Sequence, residues 1–198
     1  MERESTQENA SLPSHPRESP KRPILTYSEA LALLRKYIPD EKTIYHSERC
    51  AEKAYELASR IRAKHPDLTL DPEKVRIGAL LHDIGKSQPG EHEINSVEIL
   101  KKEGLPELAE LVCHSYPYEI LLLRGIEKPE YLPTSLENKI VIYTDYLIDP
   151  DGNSTTMEER IREIKTRKKD QIQRMKALTL AEPRLYKLRD EVEGLLGE

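Results

Sequence analysis

The segment LLHDIGKSQPGEH, Leu80 to His92, sets an imidazole and a carboxylate side by side where an apolar run ends. Upstream, Asp71 is a suitable N-cap and Pro72 suits the first helical position, so LDPEKVRIGALLHD reads as a helix. Val75, Ala79, Leu80 and His82 fall on broadly adjacent faces, and Gly85 permits a turn just after the helix. Adjacent side chains on a helix diverge by about 100°. His82 and Asp83 therefore converge on one point only if the local backbone helps. A buried, unpaired carboxylate is costly, and a metal ion is one remedy.

Working outward, the chain reads as almost entirely helical. TYSEALALLRKYI has Thr26 as N-cap and Leu31, Leu34 and Ile38 on one face, with Pro39 and Asp40 as the stop. A second helix is predicted from about His46 to Lys64, with Cys50, Ala54, Leu57, Ala58 and Ile61 as its apolar stripe. Further helices are predicted over Glu91–Glu103 and from Pro106 to near His114. Residues 115–133 carry prolines and tyrosines and read as a loop with one or two helical turns. TSLENKIVIYTDYLI, with a Thr134–Glu137 capping box, reads as a central helix with Asp145 embedded in its apolar pattern. A charged helix capped by Thr156 and Glu159 follows, and a last helix is predicted from about Glu182. No strand-like alternation stands out, so the expected class is all-α.

Composition narrows the function classes. The 198 residues suit one domain. A net charge of -5 provides no footprint for a large nucleic-acid surface. Two cysteines imply no disulfide framework, and a reducing cytoplasm is the default expectation. No segment has the run of about 18 apolar residues that crosses a membrane, and MERESTQENA lacks the apolar stretch of a secretory signal. Residues 1–23, rich in Pro, Ser, Glu and Arg, read as a disordered tail.

Six polar residues do not fit a plain core: His46, His82, Asp83, His92, His114 and Asp145. All lie at helix ends or within apolar helices. Imidazole nitrogen combined with carboxylate oxygen suits Mn, Fe, Co, Ni or Zn.

GALLHDIGK closely resembles the metal-dependent HD-domain phosphohydrolase superfamily. That pattern runs from an early helix-borne His through a His-Asp doublet and further histidines to a late Asp on a long helix. His46, His82-Asp83 and Asp145 occur in that order. HEINSVEIL is similar to a family segment in which Ser96 stands where glycine is usual. LPTSLENKIVIYTDYLI resembles a segment of small HD proteins, with Thr144 in place of an alanine. The likeness covers roughly residues 44–150 and points to compact HDIG-type bacterial and archaeal members.

The resemblance implies an HD-domain-like helical bundle over residues 24–150, with helices of 151–198 packed on the same domain. It implies one ion on His46, His82, Asp83 and Asp145, and a second ion or a phosphate contact at His92 and His114. Asp83, Lys86, His92 and His114 would carry catalysis, with Lys86 on a phosphate oxygen. Glu91 is weighed as a water-orienting residue against a solvated one. Tyr116, Tyr118, Arg124 and Lys128 are candidates for the substrate entrance, and TRKKDQ reads as a solvated helix face.

The implied activity is metal-dependent hydrolysis of a phosphomonoester or phosphodiester. The implied partner is a small phosphorylated substrate, a nucleotide first among them, with homo-oligomerisation left open. Two rivals are a paired-iron HD-type oxygenase and a non-catalytic module binding a nucleotide or partner.

Overall fold

The computed structural model describes residues 25–197; the expected disordered tail over 1–23 lies outside them. Among the described residues the fold is all-α. The helices are α1 (Tyr27–Tyr37), α2 (Glu41–Lys64), α3 (Pro72–Leu81), α4 (His92–Lys102), α5 (Pro106–Leu111), α6 (Pro117–Leu122), α7 (Leu136–Leu147), α8 (Met157–Arg167) and α9 (Ile172–Leu196). A 3-10 turn spans Pro129–Tyr131, and an isolated bridge joins Ile148 to Ser154. No helix among the described residues is long and apolar enough to cross a membrane.

Several boundaries differ from the sequence expectation, each for a local reason. Asp40, read as a stop, also caps the next helix by accepting from the Lys42 and Thr43 amides, so α2 starts at Glu41. His46 therefore lies more than a turn inside α2. Ser135, not Thr134, caps α7 and accepts from the Asn138 amide. α5 ends at Leu111, short of His114, and Asn138 Nδ2 donates to the carbonyls of Leu111 and Cys113 at 2.7 and 2.9 Å. α9 begins ten residues before Glu182 and carries Pro183 in its interior. The capping boxes at Thr26–Glu29 and Thr156–Glu159 form as the spacing requires.

Two apolar clusters share α2 and α3. Val75 and Ala79 of α3 pack into the cluster that holds Ala54, Leu57 and Ile61 of α2 and Ile140 and Val141 of α7. That cluster also contains Ile161 and Ile164 of α8 and Leu178, Leu185 and Val192 of α9. Ile77, Leu80 and Leu81 turn the other way, onto Leu34 of α1, Ile44 of α2, Leu100 of α4 and Leu108 of α5. The polar residues of interest gather where α2, α7 and the segments following α3 and α5 converge between these clusters.

Candidate metal centre

The backbone after α3 solves the problem posed by the His-Asp doublet. His82 ends α3 in helical geometry, and the chain then winds through successive tight turns. The Ile84, Lys86 and Gln88 amides donate to the carbonyls of Leu81, Asp83 and Gly85. This winding brings the divergent pair together, with His82 Nε2 3.3 Å from Asp83 Oδ2. Gly85 serves here by its missing side chain rather than by a left-handed turn: a Cβ would meet the His92 carbonyl and lie 2.5 Å from the Ser96 nitrogen. Ser96 fixes the same contact. Its Oγ accepts from the Gly85 amide at 3.0 Å and lies 2.7 and 2.9 Å from the His82 and His92 carbonyls.

Three histidines are held in the same way. Nδ1 lies 2.9 Å from the Asp149 carbonyl in His46, 2.6 Å from that of Ala79 in His82, and 2.9 Å from that of Val112 in His114. A carbonyl only accepts, so each Nδ1 carries the proton. Once Nε2 is free of a proton, each ring turns a lone pair inward, as metal-binding imidazoles do. What they face is negative. His46 Nε2 and His82 Nε2 lie 3.3 and 3.5 Å from Asp145 Oδ1. His92 Nε2 and His114 Nε2 lie 3.5 and 3.7 Å from Asp83 Oδ1. Lone pairs do not face carboxylates stably unless a proton or a cation lies between them.

The fit to a cation is direct. Buried His82 Nε2 and Asp83 Oδ2 have no hydrogen-bond partner. Lys86 Nζ reaches Asp83 Oδ2 as an ion pair but without hydrogen-bond alignment. Ligand atoms of His82, Asp83 and His114 lie within 4.8 Å of one another, as do those of His46, Cys50, His82 and Asp145. The structure thus brings together all six polar residues singled out from the sequence. Cys50 belongs with them too, its sulfur 3.5 Å from His46 Nε2. The sequence placed it on the apolar stripe, since a buried thiol and a buried alanine occupy the same helical register.

Electrostatics show the same demand for positive charge. Burial opposes protonation of His46, but the Cys50 sulfur and Asp145 outweigh it and lift the imidazole to about 10. Burial is likewise outweighed at His82 by Asp83 and Asp145, again giving about 10. Burial alone would raise Asp83 and Asp145, yet the neighbouring His82, with Lys86 at Asp83 and His46 at Asp145, holds both well below the usual carboxylate range. Burial pulls His92 down to about 4 and also lowers His114, so both are neutral near pH 7.

A testable consequence follows from these directions. Without metal, His46 and His82 are protonated at pH 7, and ligation must displace those protons. Loading the metal-free protein at pH 7 should release about two protons per chain. Their contribution to metal-free stability is full below about 6.5 and is lost as pH rises toward 10. Metal at about a hundred times its Kd should add about 2.7 kcal/mol, which raises Tm by about 5–10 °C in a chain of this size. Release of no protons, or an unchanged Tm, would refute the ligand assignment.

The cluster opens into a cavity of about 160 Å³. His46, Asp83, Lys86, His92 and Asp145 form its floor, with Tyr116, Glu93 and residues of α8 around it. Of the predicted entrance residues, only Tyr116 lines it. Tyr118 packs against the second apolar cluster, Lys128 pairs with Glu130, and Arg124 pairs with Glu91. Glu91 is also bound by Arg174 at 2.9 Å, so it is neither solvated nor free to orient water. The TRKKDQ segment is not simply a solvated face, because Arg167 and Lys168 line the cavity.

Supporting residues escaped the sequence reading. Arg174 Nη2 donates to both carboxylate oxygens of buried Glu93, at 2.8 and 2.7 Å, and Glu93 Oε2 lies 3.2 Å from His92 Nδ1. Arg184 grips Glu119 and the Ser115 carbonyl, next to His114. Ser115 holds φ of 60°, a strained value for a residue with a side chain. Arg160 left a legible signal, since it interrupts the buried face formed by Met157, Ile161 and Ile164.

A family model described as the HD domain matches residues 43–148, more than half of the chain. The chain belongs to this family. Its HD-domain fold and His/Asp cluster support a metal-dependent hydrolase in the broad sense. Uncharacterized protein MJ0778 of Methanocaldococcus jannaschii is 36% identical over 131 residues, covering 63% of this chain and 76% of its own. Proteins named tRNA (cytidine(56)-2'-O)-methyltransferase are also similar. That of Picrophilus torridus is 33% identical over 60% of this chain, and that of Thermoplasma volcanium 30% over 61%. The matches span only 39% and 36% of those two relatives. No solved structure matches the chain.

Proposed function

We propose that this HD-domain protein is a compact HDIG-type phosphohydrolase that cleaves a phosphomonoester or phosphodiester of a nucleotide or related small phosphate. The observation carrying this reading is the inward set of imidazole lone pairs around Asp83 and Asp145, with Lys86 beside it. His46, His82, Asp83 and Asp145 would hold one divalent transition ion. His92 and His114, both neutral and both facing Asp83 Oδ1, would hold a second. His114 suits a metal better than a phosphate, because its Nδ1 proton is committed to Val112 and Nε2 has none to donate.

When bound, such ions supply Lewis acidity at a phosphoryl oxygen and make a water easier to ionise near neutral pH. The chain's own groups supply the rest. Asp83 directs one oxygen toward each histidine pair and so fixes where an attacking water must sit. The Lys86 ammonium is mobile enough to shift from Asp83 toward the phosphoryl oxygens and offset their charge. Glu93, anchored by Arg174, orients the His92 ring. The names of the two methyltransferases support a nucleotide-type substrate; methyl transfer is not carried over, since the matches span so little of those chains.

The test is to assay protein loaded in turn with Mn, Fe, Co, Ni and Zn against bis-p-nitrophenyl phosphate and a nucleotide panel. Phosphate-ester cleavage should appear with at least one metal, vanish with chelator and proceed without dioxygen. Product formation only in the presence of dioxygen would replace this reading with the paired-iron oxygenase.

A further inference from the structure

We propose that Arg167 and Lys168, at the C-terminal end of α8, form an anion subsite that selects substrates carrying a second phosphate besides the one attacked. The inference rests on the phosphohydrolase reading for the attacked phosphate, while the subsite itself can be read by binding alone.

α8 lies beyond the segment matched by the family model, yet it supplies Arg160, Arg167 and Lys168 to the cavity that opens over the His/Asp cluster. The carboxylates lining that cavity are already engaged. Asp83 and Asp145 belong to the cluster, Asp40 caps α2, and both oxygens of Glu93 are held by Arg174 Nη2. The cations are under-compensated. Arg160 and Arg167 share the single carboxylate of Glu163, and buried Arg160 Nε has no partner. Lys42 pairs with Asp151 at 2.6 Å. Among the described residues, Lys168 has no carboxylate partner at all.

A lysine at a helix C-terminus is unremarkable on dipole grounds. A half-buried one turned into a cavity among other cations is not explained that way. Burial first, and then Arg174, pulls the Lys168 ammonium down to about 8; Arg167 and Lys86 act in the same direction, and Glu93 opposes them. A pocket wall with excess positive charge concentrates anions. With the attacked phosphate over the cluster, the charge left on the α8 wall matches a second phosphate on the same small molecule.

The experiment titrates the metal-loaded full chain with propane-1,3-diphosphonate and with propylphosphonate, followed by calorimetry. Neither ligand can be hydrolysed. The diphosphonate should bind about tenfold more tightly than the monophosphonate, the worth of one charged hydrogen bond. Lys168→Gln should reduce that ratio to about two or less, and Arg167→Gln should lower it in the same direction, with Tm confirming that each variant folds. Equal affinity for the two ligands, or a ratio that survives both substitutions, would overturn the subsite. Failure of the monophosphonate to bind would count instead against the phosphohydrolase reading, and a Lys168-dependent diphosphonate site would stand without it.

Discussion

Asp83→Asn is expected to lower phosphate-ester turnover about a thousandfold, the effect of losing several kcal/mol of metal-ion stabilisation. Bound metal should fall with it. Asp83 is the one carboxylate that faces every histidine of the cluster. Its Oδ2 lies 3.3 Å from His82 Nε2 and 3.9 Å from His46 Nε2, and its Oδ1 lies 3.5 and 3.7 Å from His92 and His114. An amide removes the charge and offers N–H donors to lone pairs that ought to bind a cation. The metal-free variant should melt below the metal-free wild type, because protonated His82 and Lys86 lose the buried counter-charge they pair with. The signature is therefore threefold: a lower metal-free Tm, no metal-induced rise in Tm, and lost turnover. Elemental analysis per chain, set beside melting curves, reads all of it. A variant that keeps its full metal complement and its turnover would remove Asp83 from the mechanism.

How much of this was legible in the sequence follows from the range of the forces involved. Helix existence and the two capping boxes at Thr26 and Thr156 depend on neighbours three or four residues away, so the sequence displays them. The start of α2 was missed because Asp40 serves both as the end of one element and as the cap of the next. The end of α5 was missed because its terminal carbonyls are taken by Asn138, some 25 residues on. The same division holds at the site. Histidines and aspartates in apolar surroundings announce themselves, since burying them uncompensated is costly. Their supports do not. Arg174 reaches Glu93 across 81 residues of chain, and Lys168 reaches the cavity from a segment that locally looks like any solvated helix end. Cys50 was hidden for a different reason: it satisfies the apolar register whether or not it also touches a ligand.

Gly85→Ala should be the most damaging single methyl in the domain. The new Cβ would collide with the His92 carbonyl and stand 2.5 Å from the Ser96 nitrogen and 2.8 Å from Asn95 Cβ. Two of these three atoms are backbone, so no side-chain rotation relieves the clash. The turn after α3 and the first turn of α4 must move apart, which costs about 3 kcal/mol as overpacking and lowers Tm by about 6–12 °C. Ser96→Ala is the informative comparison. It leaves the fit intact and removes only the hydroxyl that joins the Gly85 amide to the His82 carbonyl, for about 1–2 kcal/mol. The two variants should also differ at the metal. Separation of α4 from the turn carries His92 away from Asp83, so Gly85→Ala should weaken binding of the ion that needs His92 more than that of the ion held by His46, His82 and Asp145. Urea melts with metal titrations measure both quantities. If Gly85→Ala unfolds at the wild-type midpoint, the close approach of this turn to α4 is not what holds the His-Asp doublet in place.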